Sequence, residues 1–152
     1  MTEYGSETVE FLQSHIDEHG FLSWLGVRVE SLDPGHLVMR VPYDDVLTNP
    51  AIPGREAEGE TVHGGVAATL IDTAGGLAVR SALSSPISTG VASIDLNVSY
   101  LRPASGDLVA TADVVRTGRT IGVASVTVES EVRGHEHAEV AVGRGSYRIF
   151  QD

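Results

Sequence analysis

Residues 61–78 read Thr61-Val62-His63-Gly64-Gly65-Val66-Ala67-Ala68-Thr69-Leu70-Ile71-Asp72-Thr73-Ala74-Gly75-Gly76-Leu77-Ala78, an apolar run with a glycine pair at its start and one acid inside it. The run is apolar enough to form a buried helix that starts at the glycines, and an acid in such a helix calls for a role. Along a helix the eight steps from Gly64 to Asp72 rise roughly 12 Å, more than two turns, so the two cannot touch one reacting atom. Two copies packed antiparallel remove the difficulty, because each helix start then lies near the middle of its neighbour. The spacing therefore predicts a composite site across a homodimer interface, with twofold symmetry giving two equivalent sites.

Each end of that site has a chemical rationale. A helix start offers unpaired N–H groups and partial positive charge, and glycine lets a carbonyl oxygen reach them, which is how an oxyanion hole is built. The carboxylate of Asp72, set among Leu70, Ile71 and Thr73, then serves as general base on water or attacks an acyl carbon itself. Together they describe acyl transfer to water. A purely structural account stands beside this one, in which the glycines permit helix packing and the aspartate bonds a backbone donor.

A chain of 152 residues is expected to form one domain over 1–152, large enough to bury roughly 70% of its unfolded surface without a disulfide or metal staple. The absence of cysteine excludes thiol catalysis and thiolate metal sites and fits a reducing cytoplasm. No N-terminal stretch joins basic residues to an apolar run, and no apolar run is long enough to span a bilayer, so the expectation is a soluble cytoplasmic protein. Twenty-one acidic residues oppose ten basic ones, a net charge of −11, and every basic residue is arginine. That balance argues against nucleic acid or an anionic membrane as partner. A lysine-free, acid-rich surface suits a saline cytoplasm, where self-repulsion is screened; an ordinary acidic protein from a GC-rich genome is the other reading.

Val9, Leu12 and Ile16 recur at helical spacing, predicting a short helix from about Ser6 to His19 that Gly20 ends. Strands are expected from Trp24 to Ser31, on the alternation of Leu25, Val27 and Val29, and from His36 to Tyr43, with Asp33-Pro34-Gly35 as the hairpin turn. Residues 44–61, rich in proline, glycine and charge, read as a long loop leading into the central helix, which continues to about Leu83. Beyond Ser84-Ser85-Pro86 the period becomes two: Ile94, Leu96, Val98 and Tyr100 fall on one face, Ser93, Asp95, Asn97 and Ser99 on the other. Further strands follow at 107–116, 120–131 and 137–149, with turns at 103–106, Thr117-Gly118 and Arg133-Gly134. One long helix wrapped by a curved antiparallel sheet satisfies this order, in the α+β class.

His63-Gly64-Gly65 with Asp72, Ser93-Ile94-Asp95-Leu96-Asn97 opening a strand, and Gly118-Arg119-Thr120 between two later strands together resemble the hotdog-fold acyl-CoA thioesterases of the phenylacetyl-CoA thioesterase type. The resemblance runs from about Gly26 to Ile149. It implies a hotdog fold and hydrolysis of an acyl-CoA substrate without cofactor or metal. By it, the N–H of Gly64 polarises the thioester carbonyl with help from the Asn49 amide. Asp72 comes from the other subunit, Ser93 positions the water, and His63 orients the glycine turn. Gly65, Arg116, Arg119 and Thr120 fall to substrate binding, the last three toward the coenzyme A phosphates, although a solvated hairpin arginine is the plain alternative. Family dimers often pair into tetramers. One departure concerns Asn49, which stands fifteen positions before Gly64 where the family usually has about seven. An insertion around Pro53 to Glu60 accounts for it if the loop bulges outward and returns; otherwise Asn49 is a turn residue.

His135 and His137 near Gly134 read as turn residues rather than a metal pair, and His15, His19 and His36 have no evident partners. Gly75 and Gly76 cost about 1 kcal/mol each in helix stability and imply close packing against the sheet or a partner helix. A hotdog-fold hydratase or dehydratase needs an acid–histidine pair, and no second histidine accompanies Asp72 at helical spacing. A non-catalytic acyl-CoA binder is the remaining alternative.

Overall fold

A computed structural model describes residues 6–133 and 135–151. Two short helices, α1 (Ser6–Glu18) and α2 (Gly20–Leu25), precede a hairpin of β1 (Arg28–Asp33) and β2 (His36–Val41). The long helix α3 (Gly64–Ser81) follows, then β3 (Gly90–Tyr100), β4 (Leu108–Thr117), β5 (Ile121–Val132) and β6 (His135–Phe150). All six strands pair antiparallel in one sheet of order β1-β2-β4-β5-β6-β3. Helix α3 lies across the inner face, where Leu70, Ile71, Ala74 and Ala78 meet Leu37, Met39, Ala110, Val126, Val128 and Ala141 in one core cluster. This is the hotdog arrangement expected from the sequence. Among the described residues no helix is long and apolar enough to cross a membrane.

The hairpin turn is as expected, with Gly35 at φ +78° and its N–H bonded to Ser81 Oγ on α3. The segment before it differs. Trp24 and Leu25 belong to α2, not to a strand, because Gly26 takes the left-handed conformation at φ +73° and its N–H closes the helix on Leu22 and Ser23 carbonyls. Leu25 and Val27 are both buried, so a helix end followed by extended chain mimics strand alternation. Gly20 does not cap α1 in the left-handed region either; it is the first residue of α2, with His19 as its cap.

The two sheet edges are treated differently. At β1, Gln13 of α1 accepts from Val29 N–H at 2.8 Å and donates to Val27 C=O at 3.3 Å, so a helix covers that edge. Across the sheet, β3 lies at the other edge with no further strand paired to it among the described residues, and Ile94, Leu96 and Tyr100 are exposed along it.

The loop of residues 44–61 leaves and returns at one place. Asn49 N–H bonds Thr61 C=O at 2.8 Å and His63 N–H bonds Leu47 C=O at 2.8 Å, while Thr48 bridges Val62. Residues 50–60 form the outward excursion between these pins, turned at Gly54 and Gly59, both with positive φ.

Candidate functional site

Helix α3 begins as the sequence predicts, and its cap decides which donor stays free. His63 is the N-cap, its Nδ1 accepting from Gly65 N–H at 2.8 Å, and Val66 N–H bonds His63 C=O at 3.0 Å. Gly64 N–H, the first of the helix, has no partner among the described residues. A Cβ on Gly65 would stand 2.9 Å from His63 Nδ1, so glycine there makes room for the capping ring. An accepting Nδ1 places the His63 proton on Nε2, which suits a ring that orients a turn.

Gly64 and Asn49 line one cavity of about 370 Å³ together with Thr61, His63 and Tyr100. The return of the loop therefore brings Asn49 beside the helix start despite its distance in sequence, and its amide lies 3.4 Å from Thr61 Oγ1. Tyr100, read from the sequence as a strand residue alone, joins this cavity. Its hydroxyl donates to Gly64 C=O at 3.0 Å, and a Cβ on Gly64 would stand 2.9 Å from the ring.

Asp72 lies half-buried two turns further on, facing a different cavity, and Ser93 Oγ donates to its Oδ1 at 2.6 Å. Strict alternation would put Ser93 on the opposite face from Leu96 and Tyr100. A β-bulge between Ser93 and Asp95 shifts the register against β6, so Ser93, Leu96 and Tyr100 all reach the α3 side. Asn97 and Ser99 lie with Ser125 and Thr127 on the outer face.

Beneath Asp72, the buried hydroxyl of Tyr147 donates to Asp72 C=O at 2.8 Å. Burial, and then the charge of Asp72, push the Tyr147 pKa far above the usual tyrosine value, so the phenol stays a donor. Its ring fills a slot between Gly75 and Gly76 of α3 and Gly145 of β6. A Cβ would come within 2.3 Å of the hydroxyl oxygen from Gly75 and 2.1 Å from Gly145. The glycine pair in the helix thus serves packing on the sheet.

Arg119 and Thr120 line a cavity with Arg148, Phe150 and Gln151 at the β4–β5 turn, separate from the cavities of Gly64 and Asp72, and exposed Arg116 does not line it. His36 pairs with Asp113 at 2.7 Å and His19 caps α2, so both have partners the sequence did not reveal. Gly134 and the side chain of His135 lie outside the described residues, and His137 is exposed. Among the described residues no three acids or histidines cluster to hold a metal.

Within one chain, then, a backbone donor without a partner among the described residues and a serine-bonded carboxylate sit at two separate cavities on one helix wrapped by a sheet. Residues 59–135 match the model of the thioesterase superfamily, and the chain belongs to that family. An esterase-named protein of Halobacterium salinarum is 57% identical over 96% of this chain and 95% of its own length. The human protein named acyl-coenzyme A thioesterase 13 is 28% identical over 88% of this chain and 90% of its own. The crystal structure of a thioesterase family protein from Silicibacter pomeroyi superposes with a TM-score of 0.79 at 25% identity, covering 94% of this chain and 98% of that one. The chain is thus a thioester hydrolase by family.

Proposed function

We propose that this protein hydrolyses acyl-CoA thioesters at two equivalent sites of a homodimer, each built from Asp72 and Ser93 of one subunit and Gly64, His63 and Asn49 of the other. The carrying observation is that Asp72, already bonded by Ser93 at 2.6 Å, lines one cavity while Gly64, whose N–H has no partner among the described residues, lines another. One chain holds two halves and no whole. The uncovered β3 edge supports pairing, since antiparallel joining of two such edges would continue the sheet, bury Ile94 and Tyr100, and bring the α3 helices together.

In this reading the thioester carbonyl accepts from Gly64 N–H and the Asn49 amide, and Gly65 contributes by seating the His63 cap. Ser93 holds one Asp72 oxygen, leaving the other to take a proton from water as the water oxygen bonds to the acyl carbon. Collapse of the tetrahedral intermediate breaks the C–S bond. The proton on Asp72 passes to the departing thiolate, giving free carboxylic acid and coenzyme A, with no cofactor required. Arg116, Arg119 and Thr120 lie at an exposed turn suited to the coenzyme A phosphates, with Arg148 beside Arg119. Pairing of dimers into tetramers, residence in the cytoplasm and adaptation of the acidic surface to salt belong to the same proposal.

Mixing two dead variants tests it. Asp72→Asn removes the base, and Gly64→Pro removes the N–H itself at a first helical position that suits proline, where its added carbons displace the exposed Tyr100 ring that a Cβ would meet at 2.9 Å. His63, at φ −57° and ψ 133°, already has the extended backbone a following proline requires. Each variant alone is expected to release no thiol from acyl-CoA. Co-refolded in equal amounts, they should recover about a quarter of normal activity, because half the dimers are mixed and each carries one intact site. No recovery, with both variants folded and dimeric, overturns the composite site; tight acyl-CoA binding without turnover by the unaltered protein overturns the hydrolase reading.

A further inference from the structure

The cavities beside the two proposed half-sites differ in size. On the Gly64 side a second cavity of about 620 Å³ under the 50–60 loop shares Asn49, Thr61 and Pro103 with the first, and its charged lining is Arg55 paired with Glu58, together with Glu60 and Arg133. On the Asp72 side lies a separate cavity of about 320 Å³, walled by His19, Phe21, Leu22, Ala68, Thr73 and Leu96. Coenzyme A is long, polar and anionic, whereas the acyl group it carries is compact and mainly apolar. The larger space has room for the pantetheine arm that leads toward the phosphates, and the smaller one, walled by Phe21, Leu22, Ala68 and Leu96, for the acyl group.

Building on the thioesterase reading above, we propose that the acyl group lies in the Asp72 cavity and that Phe21 of α2 sets the size of acyl group accepted. Phe21 is a large apolar side chain left 52% exposed, so the fold makes little use of it, yet it stands at the rim of the cavity that holds the base. Its backbone is fixed at both ends of a single short helix. His19 Nδ1 accepts from Leu22 N–H at 3.4 Å, and the left-handed Gly26 closes the far end beside buried Leu25. Leu96, from the bulged strand, faces it across the opening.

A wall that gauges length has a clear signature. In the full-length protein, kcat/KM is measured across straight-chain substrates from acetyl-CoA to dodecanoyl-CoA. Phe21→Ala is expected to raise the ratio of dodecanoyl to butyryl turnover about tenfold, and Phe21→Trp to lower it, the scale a hydrophobic pocket gives for a change of a few carbons. The exposure of Phe21 lets both variants fold, which thermal melting and light scattering check. An unchanged length profile overturns the inference, and so does an equal loss at every length, which marks Phe21 as a fold or assembly residue. If the unaltered protein hydrolyses no acyl-CoA, the thioesterase reading itself fails and takes the inference with it.

Discussion

Ser93 fixes one oxygen of Asp72 through a 2.6 Å hydrogen bond from an exposed edge strand, so it can be removed without disturbing the core. Ser93→Ala is expected to lower kcat by about tenfold, ~1.4 kcal/mol in the barrier, with KM little changed. Steady-state kinetics decide, and an unaltered kcat dismisses Ser93 from the site. Tyr147 is the opposite case, buried and joined to the carbonyl of Asp72. Its folded pKa is raised, chiefly by burial, while the unfolded phenol titrates near ~10. Stability from the neutral phenol is therefore fully present below about pH 10 and is lost as pH climbs from there toward the folded value. Urea unfolding should show a plateau to about pH 10 and a decline beyond it; Tyr147→Phe should remove part of that decline and cost about 1 kcal/mol at neutral pH. A decline of equal slope in Tyr147→Phe would assign it to other groups. Gly75 and Gly76 announce close packing in the sequence, but the ring they receive lies about 70 positions away on a strand, and nothing local connects the two.

At the scale of elements, the bulge in β3 decides whether a serine or a neighbour faces the helix. The alternation of residues 93–100 reads cleanly as a strand, yet one extra residue in the ladder reverses which face Ser93 joins. Such an insertion is invisible to a period-two pattern because each half of the strand alternates correctly by itself. Deleting Ile94 brings Ser93 two positions from Leu96, so regular pairing is expected with Ser93 still on the helix face and turnover retained, while α3 and the sheet survive in circular dichroism. Loss of turnover in that folded variant would show that Ser93 is placed by something other than the ladder register. The loop before α3 is legible for the converse reason: its turn residues mark an excursion, and two backbone bonds, Asn49 to Thr61 and His63 to Leu47, close it where the helix begins. Helix α2 was illegible, since buried Leu25 and Val27 reproduce strand spacing across the glycine that ends it.

On the scale of the whole molecule, a net charge of −11 on 152 residues makes self-repulsion a general destabilising term. Raising KCl from about 0.1 M to 1 M shrinks the screening length from roughly 10 Å to 3 Å, so the melting temperature should rise by several degrees. A melting temperature that stays level or drops with salt contradicts salt adaptation. The helix wrapped by an antiparallel sheet was legible from periodicity and turn chemistry, whereas strand order was not, because β2 pairs with β4 across the intervening α3 and β3. The bare flank of β3 carries a further consequence. A freshly made chain, still alone, displays eleven residues of open ladder that any extended peptide could extend. Its surplus of carboxylates then acts as a guard, since two strangers of like sign approach slowly in dilute buffer. Brine weakens that guard and hastens every encounter at this flank, the proposed joining of two copies included, so ions that screen the charge also open the ladder to mistaken partners.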